Sequence, residues 1–147
     1  MYISDSAEET KQIAAEITKK LKPGSVICMY GDLGAGKTSF VQGMARALGI
    51  DEPVTSPTFT IVNEYYGTLP LYHFDVYRIG SSEEMYEIGF DEYINGNGIC
   101  VIEWAELIED ILPEDSIRIT IRKNIEKGED YREIIVKGCK ELENSCN

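Results

Sequence analysis

The sequence predicts a three-layer α/β fold, a mainly parallel sheet with one antiparallel hairpin, and three features carry that expectation. Apolar runs at 26–30 and 99–102 are short, bounded by glycine and free of polar alternation, the pattern of strands buried on both faces of a parallel sheet. The first run leads through a glycine-rich turn straight into an amphipathic segment, giving strand, loop, helix. The chain has 147 residues, 43% of them hydrophobic and 27% charged, which suits one globular domain over 1–147 with its own core.

The elements follow in order. Ser6, Ala7, Glu8 and Glu9 form a capping box, and Ile13, Ile17 and Leu21 recur at helical spacing, so a first helix ends before Pro23 and Gly24. The strand at 26–30 comes next, then the loop, then a helix with Phe40, Val41, Met44, Ala45 and Leu48 inward and Gly49 as its cap. Residues 59–66 and 71–79 are rich in β-branched and aromatic side chains, and the break at 67–70 pairs them as a hairpin. Ser81 and Ser82 cap a short acidic helix, and Asn95, Gly96, Asn97 and Gly98 turn the chain into the strand at 99–102. A short helix at 105–111 stops at Pro113, strands follow at 116–122 and 131–137, and 138–147 reads as a solvated tail.

The formal charge of −12 repels phosphate backbones and anionic lipid, which argues against extensive direct nucleic-acid binding. No apolar run approaches the roughly 18 residues that a membrane helix needs. The cysteines Cys28, Cys100, Cys139 and Cys146 form no C-x-x-C pair and no secretory segment opens the chain, so free thiols and a cytoplasmic setting are expected. Cys28 and Cys100 lie inside apolar runs, where cysteine acts as a small hydrophobe.

Residues 31–38, GDLGAGKT, match G-x-x-x-x-G-K-[ST] between a strand and a helix, the context this pattern requires, and place the fold in the P-loop NTPase-like class. Glycines let successive backbone N–H groups turn inward around a phosphate, and the start of the next helix adds its positive dipole end. Gly34, Ala35, Gly36, Lys37, Thr38 and Ser39 are therefore expected to bind the phosphates of a nucleotide, with Lys37 on the β and γ oxygens and the Thr38 hydroxyl on Mg2+. Such a site needs a second acid at the end of a neighbouring buried strand, and Glu103 ends the run at 99–102. Trp104, the sole tryptophan, follows it and either packs near the nucleotide or fills the core.

His73, Asp75 and Tyr77 alternate with apolar neighbours and so share one face of a strand. An acid there positions an attacking water, or else the face is a polar hairpin side turned to solvent, and spacing does not choose between them. His73 is equally a structural hydrogen-bonder or a catalytic group. Ser56, Pro57 and Thr58 form a stiff loop ahead of the hairpin, able to respond to a γ-phosphate.

Taken together, GDLGAGKT at 31–38, SPTF at 56–59, HFDVYR at 73–78 and IEW at 102–104 resemble the TsaE (YjeE) family, small bacterial phosphate-loop ATPases that support threonylcarbamoyladenosine modification of tRNA. The resemblance runs from the first helix to about Lys137. It implies that the nucleotide is ATP, that Thr38 and Glu103 serve the magnesium ion, that Asp75 is needed for hydrolysis, that Thr10 borders the adenine and that Arg132 approaches the nucleotide. It also implies a TsaD-type transferase and a TsaB-type scaffold as partners, with tRNA met only through them. Two rivals use the same loop: a nucleotide-gated assembly module without turnover, and a small-molecule kinase, which would need an arginine-bearing lid that the five scattered arginines do not supply. A GTPase is disfavoured because the N/T-K-x-D segment is missing.

Overall fold

The computed structural model describes residues 1–32, 34–57 and 60–139. Seven strands form one sheet in the order β1-β7-β6-β2-β5-β4-β3: β1 (Tyr2–Ser4), β2 (Val26–Tyr30), β3 (Val62–Tyr66), β4 (Pro70–Asp75), β5 (Ile99–Glu103), β6 (Ile117–Lys123) and β7 (Arg132–Lys137). The four central strands run parallel, β6 to β2, β2 to β5 and β5 to β4, while β3, β7 and β1 are antiparallel additions at the two edges.

Alternation along the central strands feeds two cores. Ile27, Met29, Val101 and Ile119 pack on one face beneath α1 (Ala7–Lys19) and α2 (Lys37–Ala47), with Ile17, Phe40 and Met44 from those helices. Cys28, Cys100, Ile102 and Phe74 pack on the other with Met85 from α3 (Glu83–Glu87), Phe90 from α4 (Phe90–Ile94) and Ile108 from a 3-10 segment (Ala105–Ile111). The three layers expected from the sequence are present. Burial pushes the Cys28 thiol up to about 11 and the Cys100 thiol up to about 12, so both behave as inert apolar groups.

Helix α1 starts where the serine signal places it: Ser6 Oγ accepts the Glu9 N–H at 3.0 Å. Other boundaries differ from expectation. The second hairpin strand stops at Asp75 and does not reach Ile79, because Asp75 Oδ1 accepts the Tyr77 N–H at 3.0 Å and Ile79 N–H bonds back to the Val76 carbonyl, folding the chain into turns. The short acidic helix expected after Ser81 and Ser82 is two helices, α3 and α4, broken at Gly89, whose φ of 80° no ordinary side chain adopts cheaply. Ser82 does not cap it through its side chain, since its hydroxyl donates to Asp110 Oδ1 at 2.5 Å. Strand β1, three residues long, carries no sequence signal and gains its place by pairing with Arg132 to Ile134 of β7. Of the segment expected as a tail, Gly138 is exposed and Cys139 is partly buried against the core, and 140–147, including Cys146, lie outside the described residues. Among the described residues no helix is long and apolar enough to cross a membrane.

Helices α1 and α2 cross closely at Gly43, where a Cβ would meet the Lys11 carbonyl oxygen and lie 2.8 Å from the Ala14 Cβ. Alanine is the better helix former by about 1 kcal/mol, yet the clash dominates, and Gly43→Ala is expected to lower unfolding free energy by roughly 1–3 kcal/mol. Urea denaturation of the two proteins checks this; a variant as stable as the parent contradicts it.

Candidate functional site

The glycine loop leaves the C-terminal end of β2, the central strand, and enters α2. Gly31 has φ 146° and its position leaves no room for a side chain, as a Cβ would sit 2.6 Å from the Ile121 carbonyl oxygen of β6. Gly36 ends the loop at φ 105° and is the N-terminal flank of α2, which has no side-chain cap, so the backbone N–H groups of the first turn face outward for an anion. Lys37 is 7% exposed: its Nζ donates to the Gly31 carbonyl at 2.8 Å and lies 4.5 Å from the centre of the Trp104 ring. Thr38 Oγ1 is 3.4 Å from Ser56 Oγ, which ties the loop before the hairpin to the start of α2; Thr58 and Phe59 of that loop lie outside the described residues.

Strand register brings the acids to the same edge. Glu103 pairs with Met29 of β2 on one side and with Asp75 of β4 on the other, so both carboxylates stand at the ends of strands that flank the loop. His73 and Asp75 do share a face, but Tyr77 lies beyond the strand, exposed, with its ring 4.8 Å from that of Trp104. The reading of this face as a solvent-turned hairpin side fails at His73, which is fully buried with Nε2 2.5 Å from Glu103 Oε2. Asp75 is half-buried and its carboxyl titrates above the ordinary aspartate value. Burial is the main cause, opposed by the Tyr77 N–H and reinforced by the nearby Glu103 carboxylate, with His73 and Lys37 pulling the other way.

Trp104 lies beside Lys37 and not in the deep core. It is the one non-glycine with positive φ among the described residues, at 63°, a conformation that costs a bulky side chain energy and that recurs at functional sites. On the far side of the loop, Arg132 of β7 donates from Nε to the Ala35 carbonyl at 2.9 Å and from Nη2 to the Gly34 carbonyl at 3.4 Å. These bonds tie the loop to β7, while the Ala35 N–H closes a turn inside the loop on the Asp32 carbonyl at 3.0 Å. Arg132, Thr10, Gly36 and Ser39 line a cleft of about 70 Å³ with Ser6, Ala7 and Asp130. Thr10 is buried and its hydroxyl shares a 2.7 Å hydrogen bond with Ser4. Nothing in the sequence pattern marks Ser4, Ser6 or Asp130 as neighbours of the loop; only strand β1 and the turn before β7 bring them here.

No group of three or more His, Cys, Asp or Glu among the described residues could hold a metal ion unaided. Two oxygen donors, the Thr38 hydroxyl at the start of α2 and the Glu103 carboxylate at the end of β5, are of the type that would hold magnesium where nucleotide oxygens and water supply most of its ligands.

A parallel sheet whose central strand turns through this loop into a helix, with acids on neighbouring strand ends, defines an α/β protein of P-loop NTPase-like fold. The family model for threonylcarbamoyl adenosine biosynthesis protein TsaE matches residues 4–134, and the chain belongs to the TsaE family, whose role is in the biosynthesis of threonylcarbamoyladenosine in tRNA. It is 52% identical over 128 residues to the tRNA threonylcarbamoyladenosine biosynthesis protein TsaE of Bacillus subtilis, covering 86% of this chain and 78% of that one. Against the protein of the same name from Treponema pallidum the identity is 47% over 120 residues, 82% of this chain and 89% of that one. The crystal structure of Bacillus subtilis YdiB superposes with a TM-score of 0.77 at 43% identity, over 97% of this chain and 87% of that chain.

Raised titration of Asp75 has a consequence for stability. The native carboxyl holds its proton at pH values where the unfolded chain has released it, so stability from this group is present below the ordinary aspartate range and is lost as pH rises through the native value. Asp75→Asn keeps an acceptor for the Tyr77 N–H and removes the penalty. The variant is expected to unfold at higher urea than the parent at pH 7, with the gap closing toward about pH 3. Equal midpoints at pH 7 contradict this.

Proposed function

We propose that this chain binds Mg-ATP and hydrolyses it slowly, and that the cycle resets a complex of TsaD-type transferase and TsaB-type scaffold that carries out threonylcarbamoyl transfer to tRNA adenosine. The observation that carries the reading is the convergence of Lys37, Asp75 and Glu103 on one sheet edge beside a glycine loop with an uncapped helix start.

Each residue has a part that its surroundings support. Lys37, resting on the Gly31 carbonyl and the Trp104 face, exchanges those partners for phosphate oxygens. The N–H groups at the start of α2 bind the same phosphates, and Arg132 keeps the loop in the shape that presents them. Asp75, with its raised titration, accepts the proton of an attacking water or orients that water toward the γ-phosphorus. Thr38 and Glu103 bind the metal side of the nucleotide. Magnesium, when bound, neutralises charge on the β and γ oxygens. The cleft at Thr10, Ser39 and Arg132 takes the edge of the base. A surface of net charge −12 leaves tRNA to the partners, and no arginine-bearing lid of the kind a phosphoryl-transferring kinase uses is evident in the sequence.

Phosphate release from Mg-ATP, measured with the chain alone and with both partners, tests the reading. Release is expected to rise with the partners and to vanish in Lys37→Ala. Asp75→Asn is expected to bind Mg-ATP within a few-fold of the parent while turnover falls about 100-fold or more. Release that ignores the partners, or an Asp75→Asn chain that supports tRNA modification at the parent rate, overturns it; the second result would mean that occupancy alone gates assembly.

A further inference from the structure

We propose that His73 is a positioning residue for Glu103: it holds one carboxylate oxygen so that the other faces the metal of the nucleotide. This rests on the nucleotide reading above. The imidazole is fully buried, Glu103 is 4% exposed, and the two meet at 2.5 Å through Nε2 and Oε2. Register makes the contact possible, since His73 lies opposite Val101 and so stands one step back from the Asp75 and Glu103 pair, on the same face.

The second ring nitrogen argues for the direction of that bond. Among buried side-chain nitrogens and oxygens of the described residues, His73 Nδ1 alone has no hydrogen-bond partner. An orphaned buried N–H is rarer and costlier than an orphaned lone pair, so the tautomer that fits carries its proton on Nε2 and donates it to Glu103. With Oε2 engaged in this way, Oε1 is the freer oxygen and the one that Glu103 would turn toward the metal of the nucleotide. Outer residues that orient a ligand in this manner commonly control metal affinity by 10–100-fold. Spacing alone leaves His73 open between a structural and a catalytic role; its complete burial and its bond to Glu103 make it neither a residue exposed to substrate nor a purely packing one.

Two amide substitutions separate positioning from packing. In His73→Gln the side-chain amide reaches the place of Nε2 and can donate to Oε2; in His73→Asn it reaches only the place of Nδ1. The readout is the ratio of ADP dissociation constants in EDTA and in excess Mg2+, by calorimetry, with thermal unfolding of the nucleotide-free chains as a check on folding. The parent is expected to bind ADP more tightly with Mg2+. His73→Asn should lose about tenfold of that ratio while its ADP affinity in EDTA stays within about twofold, and His73→Gln should keep the ratio within about twofold. Equal loss in both variants, or a loss in Asn that is the same with and without Mg2+, overturns the proposal. If the Asn chain does not fold, the Gln chain decides alone, and a tenfold fall there overturns it. A parent that binds no ADP defeats the nucleotide reading, whereas a parent that binds ADP with no Mg2+ effect defeats the role given to Glu103 and His73 only.

Discussion

One row of residues across three parallel strands, Met29, Glu103 and Asp75, fixes where the acids and the glycine loop meet. A shift of one residue in either pairing would turn Glu103 or Asp75 to the opposite face, away from α2, and drive an apolar neighbour into its place. The register is therefore held by the cores themselves. On the loop side Ile27, Met29 and Val101 must be inward for α1 and α2 to cover them, and on the other side Cys28, Ile102 and Phe74 must meet Met85 and Phe90. Packing that has nothing to do with chemistry sets the place of every candidate catalytic group.

That edge is expensive to fold. Glu103 and His73 are buried together, Lys37 is nearly so, Asp75 is held in a setting that disfavours its charge, and Trp104 sits at a positive φ. Unpaired, any of these charges would cost several kcal/mol. They are tolerated because each has a partner: His73 for Glu103, the Gly31 carbonyl and Trp104 for Lys37, the Tyr77 N–H for Asp75. The partners of Lys37 are a backbone carbonyl and a ring face, while Glu103 and His73 meet as a pair buried on every side.

Much of this edge is legible in the amino-acid sequence. The loop pattern has a mechanism that depends on local sequence alone, so Gly34 to Ser39 fall where a strand and a helix demand, and the apolar run at 99–102 delivers Glu103 to the sheet edge as expected. What local pattern does not contain is the contact between strands. His73 and Glu103 are 30 residues apart, and only the parallel pairing of β4 with β5 makes them neighbours. The end of β4 at Asp75 is hidden because Val76 and Ile79 look like strand residues, while the turn is set by a single side-chain acceptor. Strand β1 is too short to show periodicity, and the shell around Thr10 is hidden with it.

The central claim, that a nucleotide's phosphates sit in the 31–38 loop with its metal toward Glu103, is tested most directly by amide chemical-shift mapping of the full chain titrated with ATP and Mg2+. The largest changes are expected at Gly34, Gly36, Lys37 and Thr38, with further changes at Glu103 and Asp75 that require Mg2+, and at Thr10 and Ser39 that do not. Changes centred instead on the α3 and α4 face, or a loop that does not respond to ATP at all, would contradict the account.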